Sequence, residues 1–96
     1  MGNLFMSNIA EIHNIEPKHA AKSIRAAREK LNGGQVAAVL DFVSVQRIDP
    51  AALNEMEELA NLADQRADKV SLLHVNVEIY KVLKLAKLSA RFNFRT

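Results

Sequence analysis

Apolar positions recur along this chain in helical rhythm three times and in strand-length runs twice. From Pro17 to Leu31, Ala20, Ile24, Ala27 and Leu31 follow at spacings of four, three and four, which predicts one buried helical face. Pro17 suits a first turn, where its missing N–H would lack a partner anyway. Asn32-Gly33-Gly34 ends the pattern, since glycine takes a left-handed cap at little cost. Next comes a continuous apolar run, Val36 to Phe42, broken only by Asp41. Such a run predicts a strand buried on both faces.

Asp49-Pro50 then reads as a helix start, an acceptor cap followed by proline at the first helical position. The helix is expected to reach about Ala67, with Leu53, Met56, Leu59, Ala60 and Ala63 inward. Asp68-Lys69 is a turn, and Val70 to Val75 a second buried strand. Val77 to Lys87 predicts a third helix around Ile79, Leu83 and Ala86. Phe92 and Phe94 mark a last edge strand or a short tail. At the other end, Ile9, Ile12 and Ile15 are spaced by three after Leu4, Phe5 and Met6, and predict one or two short edge strands. Strands and helices alternate, so the expected class is α/β with right-handed crossovers.

Composition narrows the function more by exclusion than by signal. The 96 residues make one domain, 1–96, with residues 1–8 read as a flexible leader. Met1-Gly2 lacks the hydroxyl at position 6 that an acylation signal needs, because Met6 stands there. The absence of cysteine excludes a disulfide framework, a thiolate zinc site and a cysteine nucleophile, and fits a cytoplasmic address. A net charge of +2 and five aromatic residues argue against a nucleic-acid surface. No apolar run is long enough to cross a membrane.

Candidate chemistry fares no better. His13, His19 and His74 have no metal-ligand spacing, so no metal is expected. Gly33-Gly34 follows a helix and precedes a strand, the reverse of a dinucleotide cradle. Asp41 and Asp49 are both near strand ends, but satisfying loop donors and capping a helix explain them more simply than an acid–base pair. The first helix is basic outside, through Lys18, Lys22, Arg25, Arg28 and Lys30. Glu55, Glu57 and Glu58 fall in the first turns of the second helix, where the helix dipole favours them. Lys81, Lys84 and Lys87 form a basic ridge on the third, read first as a solvated face. The expectation is a non-enzymatic binding domain without a cofactor.

The stretch from Val36 to Leu53, Val-Ala-Ala-Val-Leu-Asp-Phe-Val-Ser-Val-Gln-Arg-Ile-Asp-Pro-Ala-Ala-Leu, resembles the core of a STAS domain, the family of anti-sigma factor antagonists. Val70 to Asn76, Tyr80 to Leu88 and Phe92 to Phe94 are similar to its later half. The resemblance implies a mixed sheet of four to five strands with three main helices largely on one side. It also implies a switch loop, in which a phosphorylatable Ser or Thr lies two residues after an Asp. By position Asp49 takes the Asp, Pro50 and Ala51 the hydroxyl positions, and Ala52 the glycine. Ala51 has no oxygen to carry phosphate.

The partner surface implied is Arg47, Asp49, Pro50, Ala51, Asn54, Glu55 and Glu58. Its partner would be similar to a switch kinase or an anti-sigma factor. The alternative is a small cytoplasmic subunit of an ABC-type lipid or solute transporter, held by the ATPase subunit and without membrane insertion of its own. A nucleotide-binding regulator is a weaker reading, since no P-loop is present. Free sheet edges leave a homodimer open.

Overall fold

The computed structural model describes residues 11–34, 37–66 and 68–95. The first strand, β1, is Glu11–Asn14, and the first helix, α1, is Ala20–Asn32. Strand β2 (Ala37–Asp41), helix α2 (Pro50–Arg66), strand β3 (Lys69–Leu73) and helix α3 (Val77–Leu85) follow. A short 3₁₀ turn, Ser89–Arg91, leads into strand β4, Asn93–Arg95. The tail expected around Phe94 is thus an edge strand. The leader and the early part of the expected edge strands, residues 1–10, lie outside the described residues.

The four strands pair in chain order, and every described pairing is parallel. The antiparallel pair implied by a mixed sheet is not among the described residues. Strand order fixes where the helices go. Each crossover steps to the next strand in the same direction, so right-handed connections place all three helices on one face. The register divides the side chains accordingly. Ala38, Leu40, Val70 and Leu72 point into the core with Ile24, Ala27 and Leu31 of α1 and Met56, Leu59 and Ala60 of α2. Ile12, Val39, Ser71 and Asn93 lie in one row on the opposite face. Val39 and Ser71 are nonetheless buried there, so β2 is covered on both sides as its apolar run predicts.

Helix ends follow the local chemistry. The Asp49 carboxylate accepts the Ala52 N–H at 2.7 Å, and Pro50 occupies the first helical position. Asn76 caps α3 through the Ile79 N–H at 2.9 Å. Helix α1 starts three residues after Pro17, because His19 N–H first closes a turn onto the Glu16 carbonyl. The left-handed glycine after α1 is Gly34, with φ 118°, while Gly33 keeps φ −81°. Helix α3 ends in a Schellman motif. Leu88 N–H donates to the Leu83 carbonyl and Lys87 N–H to Lys84, with Lys87 itself left-handed at φ 62°.

Candidate functional site: the loop at the carboxyl ends of the strands

In an open parallel sheet, ligands and partners meet the loops beyond the carboxyl ends of the strands. Here the loop from Phe42 to Asp49 connects β2 to α2 at that end. Two apolar residues anchor it: Phe42 is fully buried and Val45 is 3% exposed. The Phe42 N–H continues the sheet to the Leu73 carbonyl at 2.9 Å, and the Val45 N–H turns back to Phe42 at 3.0 Å.

Polar groups complete the hold. The Asp41 carboxylate receives the Val43 N–H at 3.0 Å and His74 Nδ1–H at 2.8 Å, both on Oδ1. Hydrogen bonding from His74, chiefly, and from Val43 keeps the Asp41 carboxyl below its usual pKa despite some desolvation. His74 adopts φ 56°, a left-handed conformation that few non-glycine residues take. From the next turn, Asn76 donates to the carbonyls of Val45 at 3.3 Å and Gln46 at 3.1 Å while its oxygen caps α3. One side chain therefore fixes both the loop and the neighbouring helix.

This scaffold leaves Gln46, Arg47, Asp49 and Pro50 exposed at the loop's end. Ala51, Asn54 and Glu58 continue that surface along α2 at spacings of three and four, on a single outward face. Six of the seven sequence-selected residues are therefore brought together. Glu55 is not among them. It is 7% exposed and turned toward α1, where Arg25 holds Oε2 at 2.9 Å and Arg28 holds Oε1 at 3.1 Å. Burial works to raise its pKa, but the hydrogen bonds from the two arginines outweigh burial and lower it. A shallow groove of about 680 Å³, lined by Gln46, Arg47, Asn76, Val77 and Glu78, runs beside the loop.

Sequence reasoning left His74 unassigned and gave Asp41 only a generic loop role. The available signal was register: Asp41 pairs with Leu73 in parallel strands, so the residue that follows β3 arrives at the Asp41 carboxylate. Chemically, the site offers a carboxylate–imidazole pair and hydrogen-bonding backbone. Among the described residues no group of three His, Asp or Glu side chains could hold a metal.

No family model and no curated protein matches this sequence. Solved structures do. A crystal structure of a Thermotoga maritima protein, TM1081, described as a candidate anti-sigma factor antagonist, superposes with a TM-score of 0.66. It is 24% identical in sequence and covers 90% of this chain and 74% of its own. The chain shares that fold. An NMR structure of TM1081 gives a TM-score of 0.68 at 18% identity, over 88% of this chain and 71% of that one. The likeness is one of architecture: four parallel strands and three helices arranged as the resemblance to STAS domains implies. Among the described residues no helix is long and apolar enough to cross a membrane.

Proposed function

We propose that this chain is a non-enzymatic regulatory module of the anti-sigma factor antagonist type, which docks a protein partner through Arg47, Asp49, Pro50, Ala51, Asn54 and Glu58. The observation that carries the reading is the form of this surface. Its loop is pinned from beneath by Asp41, His74 and Asn76, yet its outward side chains remain exposed. A preorganised loop loses little conformational entropy on docking, so more of the contact energy is retained as affinity. The similarity of the fold to TM1081 supports the same reading. Glu55 is given a structural role in it, because its carboxylate is committed to α1.

The partner in this proposal is similar to a switch kinase or anti-sigma factor. With alanine at position 51, no phosphate ester can form there, so binding at this loop is independent of phosphorylation at that residue. The test is capture of the tagged chain's partner from lysate of its source cell, with Asp49→Lys and Glu58→Lys as comparison baits. An anti-sigma factor or kinase retained by the parent and lost by both variants is the expected result. A transporter ATPase retained instead would replace this reading with that of a transporter subunit. A partner held equally by all three baits would show that this surface is the wrong one.

A further inference from the structure

Helix α3 carries a second surface, on the side away from the core. Of the five large apolar side chains most exposed among the described residues, three belong to α3: Val77 at 67%, Tyr80 at 42% and Leu85 at 85%. On a helical projection Val77, Lys81, Lys84 and Leu85 share the outward face, with exposed Glu78 at its edge beside Leu85, opposite the buried Ile79 and Leu83. Lys87, exposed and left-handed, adds a cation just beyond the helix end. None of these three lysines has an ionic partner among the described residues, a state they share with Lys18, Lys22, Arg47, Lys69 and Arg95, whereas Arg25, Arg28, Lys30, Arg66 and Arg91 are paired. The only acidic residue of α3 is Glu78, in its first turn.

A solvated face needs the lysines but gives no reason for the leucine and valine between them. Exposed apolar residues interleaved with unpaired cations along a short convex helix fit an anionic, yielding surface. The apolar side chains can enter the acyl boundary while the ammonium groups remain among headgroup charges. We propose that the outward face of α3 is a peripheral contact for anionic lipid bilayers, lying on the membrane without spanning it. The convex shape argues for a lipid surface over a polypeptide, which would need a complementary groove. The contact adjoins the partner surface at Val77, which shares a groove with Arg47, and extends from there along α3.

The experiment is co-sedimentation of the whole chain with vesicles of phosphatidylserine mixed with phosphatidylcholine, and with vesicles of phosphatidylcholine alone. Sodium polyglutamate serves as a soluble polyanion. Pelleting is expected with the mixed vesicles only, and is expected to fall with added salt. Each lysine neutralised, as in Lys81→Gln or Lys84→Gln, is expected to weaken partitioning about fivefold. Leu85→Ser is expected to weaken it at unchanged charge, and Lys18→Gln with Lys22→Gln, just before and within α1, to leave it nearly intact. Both variant sets sit at exposed positions, and circular dichroism is the check that they fold. Absence of pelleting on the anionic vesicles overturns the proposal. So does equal loss in the α1 control, which would reduce the effect to net charge. Binding to polyglutamate without binding to vesicles overturns the lipid assignment in favour of an acidic polypeptide.

Discussion

The outer face of α1 and the outer face of α3 look alike in the sequence, each a row of cations three or four residues apart, and the structure uses them differently. On α1, Arg25 and Arg28 close over Glu55 of the neighbouring helix, and Arg28 is 31% exposed along its side chain. On α3, the lysines project past exposed Val77 and Leu85 and meet no carboxylate among the described residues. The difference lies in what packs alongside. Helix α1 has α2 next to it, and that contact brings an acidic side chain into reach. Helix α3 lies over the last strands, with Tyr80 against Phe94 edge-to-face at a centroid distance of 5.3 Å. A run of charge therefore becomes structure or surface according to its neighbour and not its composition.

The widest separation is expected between the packed side of the helix layer and the outer face of α3. Leu59→Ala, at a fully buried position of α2, removes packing from the core and leaves a cavity. A loss of about 2–5 kcal/mol is expected. Leu85→Ala, at 85% exposure, is expected to change stability by less than about 0.5 kcal/mol. Urea unfolding of both variants checks this. A large loss at Leu85 would mean that α3 has a partner in the folded chain and would end the contrast.

Next in size is the ion pair itself. Glu55→Gln leaves two arginines facing a neutral amide, and a loss of about 1–3 kcal/mol is expected at neutral pH, nearer the lower end because Arg25 is half exposed. The same effect carries a pH signature. The folded-state pKa of Glu55 is lowered from 4.5, so the unfolded chain binds the proton more readily. Its contribution is complete above that unfolded value and is lost as pH falls through the lower folded value. The parent should therefore lose this increment on acidification from about pH 5, while Glu55→Gln should not. Asp41, lowered from 3.8 chiefly by its hydrogen bond from His74, acts with the same sign. Melting temperatures of parent and variant, measured from neutral to acid pH, should converge if the assignment is right and stay parallel if it is not.

Glu55 also marks where sequence reading reaches its limit. The helices, the two buried strands and the cap at Asp49 were legible because each rests on local periodicity or on a contact three residues away. The placement of Glu55 rests on which helix lies beside α2, and residues 25, 28 and 55 are brought together only by the fold. Near a helix start its charge had a sufficient local explanation, the dipole, so nothing pointed inward. The Asp41–His74 contact was hidden for the same reason, since strand register decides it. At the loop the local chemistry and the fold agree. Asp49→Ala removes a cap bonded at 2.7 Å and should cost about 1 kcal/mol in a thermal melt. Asn at the same position should recover most of that, because it keeps the acceptor.

The smallest expected effect separates the two cationic faces by sign. Lys87 occupies the left-handed position that closes α3, at φ 62°, where Cβ crowds the backbone and glycine fits without strain. The two hydrogen bonds of the motif run between backbone groups, and Leu88 and Leu83 are both buried against it. Neither feature needs the lysine side chain. Lys87→Gly should therefore stabilise the chain by about 0.5–1 kcal/mol, once the extra freedom of glycine in the unfolded state is counted. The same variant should bind anionic vesicles more weakly, because one cation of the ridge is gone. An arginine of α1 behaves in the opposite way: Arg28→Gly should lower stability through both Glu55 and helix propensity. If Lys87→Gly destabilises, the side chain has a structural role and the ridge is not free. If it stabilises while vesicle binding is unchanged, Lys87 lies outside the lipid contact and the surface ends at Leu85.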